Sequence, residues 1–389
     1  MKRVLVRGPL LSQSGYGEHC RQIFQFCETQ KNWQVSAQIT PWGITPWVIN
    51  SEFEGGLYGR IMEKSSVPTD AKFDITFQVQ LPNEWDPSVG KYNVGVTAGV
   101  ETDRCSVEWA TLHREKMDMM IVPSEFSKRA FLKSGTGREK TPIHVVPEAY
   151  YADLVNEPTS DVLENVTTSK NFLMVGALVS ENPNADRKNL VNSINWFMHA
   201  FHNKKDVGLI VKTTKGRDTS IDREIIRKMM KQIRKSSGAG SFPKLYMLHG
   251  SMTRQEMTSL YKSEKICALA SASRGEGFGL PMLEAAVCGL PVVATDWSAY
   301  TEFLSGPSFL RVKYDLKSLD PSRVDDRIFV KNAQWAEARP GNFKRKLKMA
   351  LEQNDMLKEK AQSLSKKLLE THSLKRLFDE YRSILSEVM

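Results

Sequence analysis

The run Arg274-Gly275-Glu276-Gly277-Phe278-Gly279-Leu280-Pro281-Met282-Leu283-Glu284 carries the side chains best suited to chemistry. Two carboxylates bracket a glycine-containing turn. Each carboxylate can accept from a pair of hydroxyls, as sugars and riboses require. The turn follows a predicted strand ending near Ala270 and opens a predicted helix with Pro281 in its first turn. Proline is tolerated there because its missing N–H is not needed. The free N–H groups and the positive dipole end of such a helix suit a phosphate. Gly277 and Gly279 let a ligand approach the backbone. Spacing alone also fits an ordinary strand–loop–helix corner with two solvated acids.

A second patch is cationic. Val175-Gly176 ends a predicted strand, and Asp186-Arg187-Lys188-Asn189 opens the next helix. Arginine forks onto phosphate oxygens and lysine supplies a point charge. Lys212, at the end of the following strand, either adds to this charge or serves the fold alone. In the first half, Gly8-Pro9-Leu10-Leu11-Ser12-Gln13-Ser14-Gly15-Tyr16-Gly17 joins the first strand to the first helix. It lacks the GxGxxG spacing, so a free-standing NAD site is not expected. Gly99-Val100-Glu101-Thr102-Asp103-Arg104 is a polar loop after a strand. An acceptor hydroxyl must lose a proton, so a carboxylate here is chemically sensible. Glu101, Asp103 and Arg104 all remain open, with Glu101 counted among the catalytic candidates. The seven histidines are scattered, His113, His144 and His249 among them, and no metal cluster or resident cofactor is expected.

These residues need elements to position them. Strand and helix patterns alternate throughout. Predicted strands cover Val4 to Arg7, Phe73 to Val79, Tyr92 to Val96, Met119 to Val122 and His144 to Pro147. A helix is predicted over 17–30, and another from Glu125 to Lys133, capped by Ser124 and stopped by Gly135. Residues 148–170 lack periodicity and read as connecting chain. Alternation resumes with strands at Phe172 to Val175, Gly208 to Lys212, Lys244 to Leu248, Ile266 to Ala270 and Pro291 to Ala294. Helices are expected at 188–203, 220–236, 253–262 and Leu280 to Cys288, and charged helices over 340–389. Repeated βαβ units imply parallel sheets covered on both faces, hence an α/β protein of two doubly wound, Rossmann-like domains. The expected division is 1–155, a linker at 156–170, and 171–372, followed by a terminal helix at 373–389.

The composition of the 389 residues is that of a globular protein, with 41% hydrophobic and 25% charged positions. It excludes a disordered chain, a collagen-like chain and a disulfide scaffold. Fifty-four Lys and Arg against 45 Asp and Glu leave a formal charge of +9, which favours an anionic partner. Five cysteines without a CxxC fit reduced, mostly buried thiols and a cytoplasmic location. No apolar run approaches the roughly 20 residues that span a bilayer.

Glu276 and Glu284, with seven residues between them, resemble the paired-glutamate signature of family-4 retaining glycosyltransferases, which have the GT-B fold. The following Ala285-Ala286-Val287-Cys288-Gly289-Leu290-Pro291-Val292-Val293-Ala294-Thr295 and the segment from His249-Gly250-Ser251 to Leu260-Tyr261 are similar to the same family. The resemblance covers most of the second half. It implies two Rossmann-like domains facing each other across a cleft, a nucleotide-sugar donor, commonly a UDP-sugar, and retention of anomeric configuration without a metal. It implies that Glu276 holds donor sugar hydroxyls, and that the backbone of Gly277, Phe278, Gly279 and Leu280 approaches the sugar and distal phosphate. Glu284 would bind the ribose, and His249, Met252 and Thr253 would lie near the base. Arg187 and Lys188 match the residues that neutralise the diphosphate. Many members carry Arg directly after the glycine, where this chain has Ala177. Gly15, Tyr16 and Gly17 fall where the family places a donor-facing loop, and the last helix would return to the first domain.

The acceptor is less legible. Arg223, Arg227, Lys228, Lys231, Arg234 and Lys235 crowd one predicted helix, and Lys344, Arg345, Lys346 and Lys348 another. They form a solvated face or an electrostatic footprint for a polyanion. The stretch from Val6 to His19 is similar to glycosyltransferases of tailed phages, some of which add sugars to hydroxymethylated DNA bases. The specific expectation is transfer to 5-hydroxymethylcytosine in DNA, in a host cytoplasm, with a flipped-out base. The alternatives are a cell-surface polysaccharide or lipid-linked acceptor, and a non-catalytic nucleotide-sugar or nucleic-acid binding module. A lipid-linked acceptor predicts a basic amphipathic helix with exposed aromatics. The first half holds Trp33, Trp42, Trp47 and Trp85 but no clean helix of that kind.

Overall fold

The computed structural model describes residues 1–66, 71–135, 141–178, 182–238 and 240–388. The chain divides into two compact units. The first comprises Met1–Ala149, Asp325–Val330 and Leu374–Met389, and the second Tyr150–Val324 and Lys331–Ser373.

The first unit is built on β1 (Lys2–Gly8), β2 (Trp33–Ile39), β3 (Phe73–Val79), β4 (Gly90–Val96), β5 (Met119–Val122) and β6 (Ile143–Val145). They form one parallel sheet in the order β2-β1-β3-β4-β5-β6. Val4, Leu5 and Val6 are buried without alternation because both faces of the sheet are covered. The helices here are α1 (Gly15–Glu28), α2 (Phe53–Glu63), α3 (Val107–Lys116) and α4 (Glu125–Ser134). Ser14 caps α1 by accepting from Gly17 N, and Ser124 caps α4 by accepting from Ser127 N.

The second unit repeats the plan. Its strands are β7 (Lys170–Val175), β8 (Val207–Thr213), β9 (Lys244–His249), β10 (Ile266–Ser271), β11 (Val292–Thr295) and β12 (Phe309–Val312), in the parallel order β12-β11-β10-β7-β8-β9. The antiparallel pair β13 (Tyr314–Ser318) and β14 (Gln334–Ala338) stands apart from this sheet. The helices are α5 (Leu190–Ala200), α6 (Ser220–Ser236), α7 (Arg254–Tyr261), α8 (Leu280–Val287), α9 (Pro340–Glu352) and α10 (Asn354–Thr371). Side chains alternate across the sheet. Phe172, Met174, Leu209 and Val211 pack under α5, α6 and α9 with Ile194, Phe197, Ile226 and Leu347. Leu173, Ile210 and Leu269 point the other way, onto Leu260, Leu283, Leu364 and Leu368. Each such buried side chain contributes about 1.5–3 kcal/mol. The last helix, α11 (Leu374–Ile384), belongs to the first unit, where Tyr381 packs on Phe26 with ring centroids 5.0 Å apart.

The structure departs from the expected division at 150–170. The second unit starts at Tyr150, and Leu154, Leu163 and Val166 are buried in its core. The polar residues between them hide this anchoring in the sequence. β2 and β12 were also not predicted, although Trp33, Val35 and Ala37 alternate inward with period two.

Candidate functional site

β7 and β10 are neighbours in the second sheet, so the loops leaving their carboxyl ends meet. The loop after β7 leads to Asp186, which is fully buried. Its carboxylate accepts from Lys188 N at 3.1 Å and Leu190 N at 2.7 Å, satisfying donors at the start of α5. Burial pushes the Asp186 carboxyl up, against the Leu190 hydrogen bond and the charges of Arg274 and Arg187. Asn189 takes a left-handed conformation, φ 54°, and donates to Ala272 O at 3.1 Å. These contacts aim Arg187 and Lys188 at the loop after β10.

That loop is held by Arg274, 1% exposed. Arg274 donates to Pro183 O and Asp186 O at 2.6 Å and to Glu337 Oε2 at 2.7 Å, and its guanidinium lies over the Trp335 ring. Its backbone N–H donates to Arg187 O at 2.9 Å. Two residues on, Glu276 receives both cations. Lys188 Nζ donates to its two carboxylate oxygens at 2.8 and 2.9 Å, and Arg187 Nη1 lies 2.9 Å from Oε2. Ser273 Oγ donates to Oε1 at 2.7 Å, while Glu276 N donates to Ser298 Oγ at 3.1 Å. Burial pushes the Glu276 carboxyl up, but Arg187, Lys188 and Ser273 together hold it at about 2. The carboxylate stays ionised at any physiological pH.

Gly279 precedes α8 with φ 105°, a conformation glycine adopts without strain, and a Cβ there would press on Tyr300 at 3.1 Å. Phe278 is buried against Phe303 and His372, leaving its backbone for any ligand. Gly277 and half-buried Leu280 complete the turn. Glu284, in α8, accepts from the buried Tyr261 hydroxyl at 2.7 Å. Lys212 Nζ is committed to Gly250 O at 2.8 Å, and burial pushes its ammonium down against Asp218, Glu284 and Glu256. His249 ends β9, and Thr253 caps α7 through a reciprocal bond pair with Glu256. Met252, between them, packs on the core.

The remaining candidates lie in the first unit. Tyr16 shares a 2.7 Å hydrogen bond with Thr97 Oγ1 and accepts from Ala98 N at 3.1 Å. Its ring stacks on Trp42 at 3.8 Å. Gly15 opens α1, and Gly17 is walled in: a Cβ would run into Ser12 O and lie 3.0 Å from Pro9 O. Glu101 is half-buried and close enough to Tyr16 to act on it electrostatically.

Asp186, Ser273, Ser298 and Tyr261 were not singled out by the sequence. Asp186 does precede the Arg-Lys pair, and Tyr261 lies in a segment that resembles the family. Ser273 and Ser298 carry no comparable signal. Among the described residues, no group of three or more His, Cys, Asp or Glu side chains is arranged to hold a metal ion. No helix among them is long and apolar enough to cross a membrane. The five cysteines are free thiols, and all but Cys288 are buried.

Residues 229–305 match the family model described as Glycosyl transferases group 1, a segment that includes α7, β10, the run from Arg274 to Glu284 and α8. No curated protein matches the sequence. Among solved structures, the chain is similar to Anabaena HepE in complex with UDP and glucose, with TM-score 0.63 and 12% identity over 100% of both chains. The same protein with UDP-glucose gives 0.62 and 13%, again over 100% of both. Sucrose-phosphate synthase from Thermosynechococcus elongatus gives 0.62 and 11%, over 100% of this chain and 99% of that one. These similarities establish the GT-B fold.

Proposed function

We propose that this chain, a glycosyltransferase by its group 1 segment and its fold, moves a sugar from a nucleoside-diphosphate donor to a hydroxyl acceptor with retention of configuration. The observation that carries the reading is the convergence of Arg187 and Lys188 on Glu276 beside the start of α8. Breaking the anomeric C–O bond leaves an electron pair on a diphosphate oxygen. Preorganised cations and helix N–H groups stabilise that charge. The reading gives this task to Arg187, Lys188 and the Gly277–Leu280 backbone, and needs no divalent metal, so excess chelator leaves turnover unchanged. Glu276 takes sugar hydroxyls and Glu284 the ribose diol. His249, Met252 and Thr253 border the base, with Lys212 behind them.

UDP is the proposed nucleotide; the chain's similarity to a fold captured with UDP and UDP-glucose supports that choice. In the first unit, Gly15 and Gly17 would offer backbone, because the Tyr16 hydroxyl is already committed to Thr97 and Ala98. Glu101 is the candidate to take the acceptor proton.

The proposed acceptor is 5-hydroxymethylcytosine in DNA. The formal charge of +9 supports it, as do the exposed Arg223, Arg227, Lys228, Lys231 and Lys235 of α6. A second reading, a glycan or lipid-linked acceptor, is favoured by residues 40–50. This uncharged loop exposes Ile44, Trp47 and Ile49 while hydrogen-bonded to Leu11, Ser12 and Gln13. The deciding experiment offers nucleotide sugars with hydroxymethylcytosine duplex DNA and weighs the digested nucleosides. A hexose or pentose adduct supports the DNA acceptor. Donor hydrolysis without an adduct retires it in favour of the glycan reading. The anomer formed, read by NMR, tests retention.

A further inference from the structure

We infer that Glu276 competes with the donor's diphosphate for Arg187 and Lys188, so that its carboxylate sets how readily the nucleoside diphosphate is released. The inference rests on the proposed donor site and adds a second task to one of its residues. Glu276 is not merely near the cations. Both its oxygens accept from Lys188 Nζ, and Arg187 Nη1 sits 2.9 Å from Oε2. The side chains are 7% exposed for Glu276, 19% for Arg187 and 21% for Lys188, so water screens the cluster weakly. Two cations and one anion leave a single net positive charge for a ligand that carries at least two negative ones.

The consequences differ before and after transfer. The intact donor brings two diphosphate charges, plus sugar hydroxyls that can donate to Glu276. The product has lost the sugar, so nothing on it donates to Glu276, and its terminal phosphate bears a further charge at neutral pH. Glu276 then faces the product as a like charge sharing the same two cations. An interaction that favours donor over product shortens the stay of the product, and product release limits many turnovers. A residue that only held sugar hydroxyls would leave UDP binding unchanged when altered. A residue that only positioned Lys188 would weaken UDP binding when altered. Competition alone predicts that UDP binds more tightly.

The test is calorimetric titration of UDP into wild-type protein and Glu276→Gln, with melting temperatures as the control for folding. Glutamine keeps an acceptor for Lys188 and Ser273 and removes the charge. The expected result is UDP binding tighter by about tenfold or more (about 1.4 kcal/mol), with transfer reduced. Lys188→Gln should weaken UDP binding and, combined with Glu276→Gln, cancel most of the gain. Equal or weaker UDP binding by a folded Glu276→Gln overturns the inference while leaving the donor site standing. Should that variant lose its cooperative melt, Glu276→Asp is used, which draws the charge back by one methylene and should tighten UDP binding by a smaller factor; no tightening there overturns the inference equally. If wild-type protein binds neither UDP nor any other nucleoside diphosphate, the donor reading itself fails.

Discussion

The two units share one plan, a six-stranded parallel sheet with its order reversed at one point, yet they treat their candidate residues differently. In the second unit the candidates are charges set face to face at the ends of β7 and β10: Arg187 and Lys188 against Glu276. In the first they are largely neutral and consumed by the fold. Gly17 has no room for a side chain, and the Tyr16 hydroxyl shares a hydrogen bond with Thr97. Concentrated, partly buried charge costs stability unless it is paired or used. A glycine packed against carbonyls is required by the fold whatever the ligand. Altering the second unit's residues should therefore act first on activity, and altering the first unit's on stability.

The largest expected effect breaks or upholds that contrast directly. Lys188→Ala and Glu276→Ala should each cut transfer by about 10²–10³-fold, the scale of losing one preorganised charge partner. Circular dichroism should remain near wild type, while Glu276→Ala melts lower because the carboxylate that pairs Arg187 and Lys188 is gone. Near-wild-type turnover by either variant on a confirmed donor–acceptor pair would sink the site assignment.

Acid pH should reveal a second difference. His19 in the first unit is fully buried, and burial pushes it down to about 4 against the nearby charge of Glu18. Below its unfolded pKa of about 6.5 the unfolded chain takes a proton that the folded one refuses, so stability falls from about 6.5 down to 4. Glu276 in the second unit has its carboxyl at about 2. Its contribution is fully present above about 4.5, the ordinary carboxylate value, and is lost as pH falls toward 2. Denaturant midpoints measured against pH should show two windows, the first flattened in His19→Gln and the second in Glu276→Gln. The Glu148 carboxylate lies 3.7 Å from His19 Nδ1. If it held His19 protonated, the first window would be missing from wild-type data.

Gly17→Ala should cost about 1–3 kcal/mol by overpacking, since its methyl would meet Ser12 O and Pro9 O. Urea unfolding measures this, and a loss below about 0.5 kcal/mol would show that the packing here does not require glycine. The smallest effect sharpens the second unit. Tyr261→Phe removes the 2.7 Å bond to Glu284. It should weaken UDP binding by about 1 kcal/mol and leave 2′,3′-dideoxy-UDP unaffected. Equal losses for both nucleotides would separate Glu284 from the ribose.

Much of this was readable in advance because it is written locally. The span of α6 follows from Thr219 and a run of inward Ile226, Met229, Met230 and Ile233. The span of α4 follows from Ser124 and Gly135, and that of β5 from four buried apolar residues in a row. The pairing of Glu276 with Glu284 is a short-range spacing around one turn. The stretch 156–170, expected as a linker, carries its buried anchors Leu163 and Val166 singly among polar residues, without a period to find.

What the sequence determined by itself was the class of fold, most elements and the charge types of the candidate site, since capping and hydrophobic period act over a few residues. Which charges meet is settled only by the packing in three dimensions. Lys188 and Glu276 stand 88 positions apart, and they touch because β10 pairs with β7 rather than with β9, its predecessor in the chain. Arg274, Asp186 and Ser273 then hold that meeting point in place. Sheet order is set by the packing of two whole faces of the sheet, a sum over many side chains that no local spacing records.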